Sequence, residues 1–210
     1  MSEPIIYGPE YSTFTRSVRL ALEEKGAAYQ LENIDMLGGA HKSDRFLAKH
    51  PFGKVPAFEH DGFELYETAA IIRYVDEAMA GPSLQPSEPK ARARMNQILS
   101  VADNYAYGPL IGTIFIQRAV MPMVGEATDE SAINDAKPAA STCIQALDKL
   151  VNPNPSGSLD LAEIELVPIM EYCSQIPEGQ ALLAEAPNLS AWWNNRKNHP
   201  SVVKTRPDLG

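Results

Sequence analysis

The nine residues from Gly81 to Pro89, Gly-Pro-Ser-Leu-Gln-Pro-Ser-Glu-Pro, hold three prolines, so neither a helix nor a central strand can run through them. The stretch reads as a stiff, exposed linker that divides the 210-residue chain into two domains. The two sides differ in kind. Strand signals are confined to the first 80 residues, and from about residue 90 onward the patterns are helical almost throughout.

In the first part, Ile5-Ile6-Tyr7 is a short apolar run closed by Gly8-Pro9, which suits a buried strand. Phe14, Val18, Ala21, Leu22 and Lys25 then mark a helical face that stops at Gly26, and Tyr29 and Leu31 alternate with polar neighbours as a second strand would. Asp61-Gly62 is a strong hairpin dipeptide between Ala57-Phe58-Glu59 and Phe63-Glu64-Leu65-Tyr66. A helix follows, with Thr68 as its cap and Ile71, Ile72, Val75 and Met79 on its apolar face. A β-α-β unit, a hairpin and a helix in that order give a thioredoxin-like domain over residues 1–80. Beyond the linker, helices are expected over 91–118, 131–151, 160–172 and 189–198, with Asp160 and Glu163 forming a capping box. The fold class is therefore α/β plus all-α, the second domain covering residues 90–210.

Bulk properties exclude several functions. A net charge of -9 opposes a phosphate backbone, so nucleic acid is not an expected partner. No apolar run reaches the roughly 18 residues that span a bilayer. The opening Met1-Ser2-Glu3-Pro4 is acidic where a signal peptide needs basic residues, and a cytoplasmic address is expected. Cys143 and Cys173 form neither a disulfide framework nor a zinc pattern, and both lie in apolar helical stretches as core thiols.

Four features carry chemistry. Ser12, in Ser12-Thr13-Phe14-Thr15-Arg16, stands where the first strand meets the first helix, beside free N–H groups and the positive end of the helix dipole. Its hydroxyl can donate to a bound thiolate there, although a bare helix cap fits the same residues. Ser12 to Thr15 occupy the place of a Cys-x-x-Cys pair, and neither cysteine is present, so a reactive thiol has to come from a bound molecule. Pro56, in Pro51-Phe52-Gly53-Lys54-Val55-Pro56, can take a cis bond that turns Val55 toward an extended peptide, or serve as an edge-strand proline. Glu67-Thr68 at the start of a helix can hold a carboxylate and an ammonium, or simply cap the helix. Residues 41–54 carry Lys42, Arg45, Lys49 and Lys54 against Asp44 alone, with His41 and His50 besides; this is an anion site or a solvated helix face.

Taken together, these segments resemble the glutathione S-transferase family over essentially the whole chain, in its serine-type, phi-like classes as found in plants and bacteria. YGPEYSTFTRSVRLALEEKG, from Tyr7, is similar to the family's first strand and helix, and HKSDRFLAKHPFGKVPAFEHDGFELYETAAIIRYV, from His41, is the most specific piece. DLAEIELVP and AWWNNRKNHPSV look like its capped core helix and its last helix. The resemblance implies that Ser12 activates the thiol of glutathione, a co-substrate, with no metal. It sets His41, Lys42 and Lys54 at the glycine carboxylate, Val55 and Pro56 along the cysteinyl unit, and Glu67 and Thr68 at the γ-glutamyl end. Thr13 and Thr68 depart from the proline and serine common at those places but keep the chemistry. Tyr7 and Tyr11 are rivals to Ser12, since other classes use a tyrosine hydroxyl nearby. A small hydrophobic electrophile is expected against Tyr11, Phe14, Tyr107, Phe115 and Arg118, with Ile116 and Met121 as further candidates; helix packing explains most of those in the second domain equally well. A homodimer anchored by Phe52 is implied too. A glutathione-dependent isomerase or dehalogenase on the same fold is one alternative, and a non-catalytic scaffold is another.

Overall fold

The computed structural model describes residues 2–207. Its first strands and helix are β1 (Ile5–Tyr7), α1 (Thr13–Lys25) and β2 (Gln30–Glu32). A single 3-10 turn over Ala40–Lys42 leads into the short α2 (Asp44–Leu47). The hairpin β3 (Ala57–His60) and β4 (Phe63–Tyr66) and the helix α3 (Thr68–Ala78) follow. The sheet order is β2-β1-β3-β4, with β1 parallel to β2 and antiparallel to β3. Asp61 and Gly62 both have positive φ, 50° and 78°, as a two-residue turn matching the strand twist requires.

Alternation along the strands gives the sheet two faces. Ile6 and Phe58 point to one face with Val18, Leu22, Ile71, Ile72 and Val75, all buried. Tyr7 and Ala57 point to the other, where Phe46 of α2 packs with Ile5, Ile34 and Val55. The sequence pattern anticipated α1 and α3 but not the short α2, whose one buried side chain is Phe46. Thr68 is not the cap of α3: Glu67 holds that position, and Thr68 is the first helical residue.

After the linker, α4 (Pro89–Val101) is capped by the Glu88 carboxylate, which accepts from the Ala91 N–H at 2.8 Å. The same helix then widens into π turns over Ala102–Ala106 and Gly108–Val120, and ends in the short α5 (Met121–Met123). Then come α6 (Glu130–Leu150), α7 (Leu161–Ser174), α8 (Pro177–Ala184), α9 (Pro187–Arg196) and α10 (Pro200–Thr205). The capping box forms: the Glu163 N–H donates to Asp160 at 2.9 Å, and the Asp160 N–H donates to Glu163 at 3.2 Å. The helices α8 and α10 had no counterpart in the sequence reading, being too short to show periodicity. Both thiols are free and buried; burial raises them, Cys173 to about 12. Among the described residues no helix is long and apolar enough to cross a membrane.

The chain divides into two compact units, but not simply at the linker. The first comprises the chain through Pro86, Ser158–Ile164 and the segment from Pro200 on; the second comprises Ser87–Gly157 and Glu165–His199. The reason lies on α1. Arg16 is fully buried and donates to the Val202 carbonyl at 3.1 Å and to Thr205 Oγ1 at 3.3 Å. Arg19 donates to the Thr205 carbonyl at 3.2 Å, and Glu24 accepts from the Leu159 N–H at 3.1 Å and from the Ser201 hydroxyl. The linker is also less exposed than its composition implies, because Leu84 is buried and its N–H donates to Asp76 at 2.8 Å. Lys25 joins that knot, donating to Asp76 Oδ1 at 3.2 Å and to the Pro82 carbonyl at 2.8 Å.

Candidate active site

Strand register decides what meets at one end of the sheet. Tyr7 pairs with both Glu32 and Ala57, and Ala57 pairs with Tyr66. The chain leaving β1 toward Ser12, the chain leaving β2 toward His41 and Lys42, the chain entering β3 through Lys54-Val55-Pro56, and the chain leaving β4 into Glu67-Thr68 therefore converge on the same edge of the first unit. This brings together four segments that the sequence reading singled out.

Ser12 is the cap of α1, with extended backbone, and its Oγ accepts from the Thr15 N–H at 3.3 Å. That bond uses the oxygen as acceptor and leaves the single O–H of the hydroxyl to donate. The first turn of a 13-residue helix adds its partial positive charge at the same place. Tyr7 is differently engaged. Its hydroxyl donates to Glu59 Oε2 at 2.9 Å, and Lys49 Nζ lies 4.5 Å from its ring centroid. Burial, reinforced by the Glu59 bond, raises the phenol pKa, and the one O–H of Tyr7 is committed to Glu59. Tyr11 is 43% exposed, and the loss of solvent around the rest of it, with the Asp35 charge, raises its phenol.

Lys49 itself bridges Glu59 and Glu64 at 2.9 and 2.7 Å. Burial opposes its ammonium, but Glu64 and Glu59 outweigh that and raise its pKa. Arg45 pairs with Glu32 at 3.3 Å. Two of the four cations in the basic segment are thus spent on neighbouring carboxylates, while no ion pair is found for Lys42 or Lys54 among the described residues. A cleft of about 210 Å³ is lined by Tyr7, Ile34, Phe46, Lys49 and their neighbours, and no predicted glutathione-site residue lines it.

Gly53 shows why the basic segment folds back. Its φ is 58°, a conformation that favours glycine, and a Cβ there would meet the His41 carbonyl at 3.0 Å. The turn before Val55 thus lies against His41 and the Lys42 side chain, and the Val55-Pro56 peptide that follows is cis. Glu67 is a second unusual position, with φ 71° and ψ 114°, outside the ordinary regions for a residue with a side chain. Backbone held so at a helix start is a frequent mark of a binding site. It leaves the carboxylate exposed, while Thr68 is buried beside it. Phe14, the other first-unit candidate for the electrophile, is half-buried in the first turn of α1.

The remaining candidates lie in the second unit. Phe115 is buried and stacks on Tyr172 with centroids 4.5 Å apart, while burial raises the Tyr107 phenol. Gly112 faces the Tyr107 ring, a placement that the wide π turn allows. Arg118 is a clasp. Its guanidinium meets Glu130 at 2.7 Å and Glu178 at 2.5 Å, joining the π-helical segment to α6 and α8. Sequence spacing could not show this, since the partners lie 12 and 60 residues away. His50, which the sequence placed only among the basic residues of an anion site or a solvated helix face, is instead buried, following α2 and preceding the Gly53 turn. Among the described residues no group of histidine, cysteine and acidic side chains could hold a metal ion.

Comparison with known proteins identifies the relatives of this chain. Residues 6–83 match the family model described as glutathione S-transferase, N-terminal domain. Glutathione S-transferase F14 of Arabidopsis thaliana is 30% identical over 192 residues, covering 88% of this chain and 75% of that protein. Glutathione transferase F7 from Populus trichocarpa, a solved structure, is 28% identical with a TM-score of 0.84, covering 96% of this chain and 97% of that one. Glutathione S-transferase I from mais, solved in complex with an atrazine glutathione conjugate, is 25% identical with a TM-score of 0.82, covering 97% and 96%.

Proposed function

Because the chain belongs to the glutathione S-transferase family, we propose that it binds glutathione at the β1–β3–β4 edge and transfers the thiolate to a small hydrophobic electrophile, as a serine-type, phi-like enzyme. The observation that carries this reading is the convergence of Ser12, Lys54-Val55-Pro56 and Glu67-Thr68 at one end of the sheet, with a Ser12 O–H left over from capping.

The chemistry follows from the groups present. Glutathione lies extended along Val55 and Pro56, its glycine carboxylate toward His41, Lys42 and Lys54 and its γ-glutamyl end at Glu67 and Thr68. A thiol of this type has a free pKa of about 8.5. The Ser12 hydroxyl donating to sulfur and the positive end of α1 both favour the ionised form, so the proton leaves to solvent and the thiolate persists near neutral pH. A sulfur lone pair then forms the C–S bond, and the electrons of the broken bond depart with the leaving group. The mais enzyme's conjugate with atrazine is a product of that type on a related fold.

A homodimer is part of the same reading. Phe52 is 65% exposed, beside Tyr66, in the loop where the resemblance places an intersubunit anchor. Two free buried thiols in place of a disulfide fit a reducing compartment, and a cytoplasmic location is proposed with them. The test is a panel of hydrophobic electrophiles incubated with glutathione, reading thiol loss and conjugate by mass. Conjugation that requires both the protein and Ser12 is expected; no acceleration for any member of the panel, with glutathione bound, would favour the scaffold reading instead.

A further inference from the structure

His50, one of the residues of the basic segment, is buried, neither solvated nor open to an anion. Its N–H donates to the Phe46 carbonyl at 2.9 Å, and its carbonyl accepts from the Gly53 N–H at 2.9 Å. The residue therefore both ends the α2 segment and anchors the turn that carries Lys54 and Val55. Its side chain, in a residue only 2% exposed, is walled by aromatic rings: Phe46 stacked at 6.4 Å, Phe52 edge-on at 6.2 Å and Tyr66 tilted at 4.9 Å. Tyr66 is the last residue before Glu67 and Thr68. One imidazole thus braces the two segments proposed to hold the opposite ends of glutathione.

The brace suits a neutral ring. Nδ1 is buried and has no hydrogen-bond partner among the described residues. A protonated imidazole makes both ring nitrogens donors, and a buried cation without an acceptor is costly. The titratable groups facing the ring are Lys54 on its own turn, Tyr66 at the end of β4 and Glu67 at the head of α3. Burial lowers the imidazole pKa and outweighs the Glu67 charge, which opposes it; the Lys54 charge adds to the lowering, and a backbone hydrogen bond of His50 itself works against it. The ring is therefore neutral at neutral pH and takes up its proton below the ordinary value of 6.5.

We propose that His50 is a positioning residue whose neutral ring holds the Lys54-Val55 turn against Tyr66, so that proton uptake by this ring releases the brace and weakens glutathione binding. The inference rests on the glutathione reading above. It makes affinity acid-sensitive through a group that touches neither substrate nor the reacting sulfur.

The experiment uses the full-length protein and S-methylglutathione, whose sulfur cannot ionise, titrated calorimetrically from about pH 8 to about pH 5.5. Wild-type affinity should be flat at the upper end and fall below about pH 6.5, by up to about tenfold per pH unit, as one excluded proton requires. His50→Phe, which keeps an aromatic ring, and His50→Gln, which keeps a neutral polar group should the first variant fold poorly, should both lose that slope. By reciprocity, saturating S-methylglutathione should lower the His50 pKa read by NMR. Because His41 is placed at the glycine carboxylate in every version, the readout is the difference between profiles: wild type and folded variants with the same pH dependence overturn the proposal. Absence of binding at every pH would instead overturn the glutathione reading, and this inference with it.

Discussion

Replacing Ser12 by alanine separates two roles that one hydroxyl combines. As a cap, Ser12 accepts one bond from the Thr15 N–H, and losing such a cap costs about 1 kcal/mol. For a chain of this size that lowers Tm by roughly 2–4 °C. As a thiolate donor, the same hydroxyl supplies a charge-assisted hydrogen bond worth about 1.5–3 kcal/mol. At 1.36 kcal/mol per unit, its loss should raise the pKa of bound glutathione by about one to two units. The dipole of α1 remains, so the thiol should not return fully to its free value. Thiolate absorbance of the glutathione complex against pH measures the second effect, and thermal melting measures the first. Ser12→Thr, which keeps a hydroxyl and a fair cap, should restore most of both. If Ser12→Ala melts lower but its bound thiol titrates as in wild type, Ser12 is a cap alone and the mechanism is refuted.

Glu67→Gln and Lys54→Ala should each weaken glutathione binding by about 10- to 150-fold, the loss of one charge-assisted bond; calorimetry showing unchanged affinity in both would displace the ligand from this edge. Phe52→Ser should shift the protein toward monomer in sedimentation, since a buried phenylalanine contributes about 1.5–3 kcal/mol; a wild type already monomeric at micromolar concentration would contradict it. Arg118→Ala should lower Tm at neutral pH while leaving the KM for the electrophile unchanged. Arg118 holds Glu178 below its usual 4.5, so this contribution is complete above pH 4.5 and is lost as acid protonates the carboxylate. The difference in Tm between variant and wild type should therefore close below that pH. A raised electrophile KM at unchanged Tm would mark Arg118 as a substrate residue after all.

Much of the first unit was legible because its signals are local. Asp61-Gly62 dictates a turn from its own dihedral preferences, Asp160 and Glu163 cap reciprocally within one turn, and Ser12 precedes a clear helical face. The same locality limits the reading elsewhere. Arg16 and Arg19 look like the solvated side of α1, and only the packing of Pro200–Thr205 against that side makes them interior. Arg118 reads in sequence as a candidate beside the electrophile, and its carboxylate partners lie 12 and 60 positions away, where no local pattern shows them. The π widening of the long helix leaves no mark in composition. His50 was visible only as a neutral neighbour of lysines, since nothing in a linear string shows three aromatic rings folding around it.

The two buried arginines of α1 also bear on how this gene could be cut. A fragment ending at the linker would keep Arg16 and Arg19 but forfeit the Val202 and Thr205 acceptors that make their burial tolerable. The first unit is thus stitched from three stretches of chain, and the natural module is not the length of DNA that the prolines mark off. Chimeras that exchange one half at the linker would pair each α1 with a foreign tail, and should tolerate the exchange only when the matching tail travels with it. Deleting the segment from Pro200 should likewise damage the first unit, which carries Ser12, although that segment is the farthest from Ser12 in sequence.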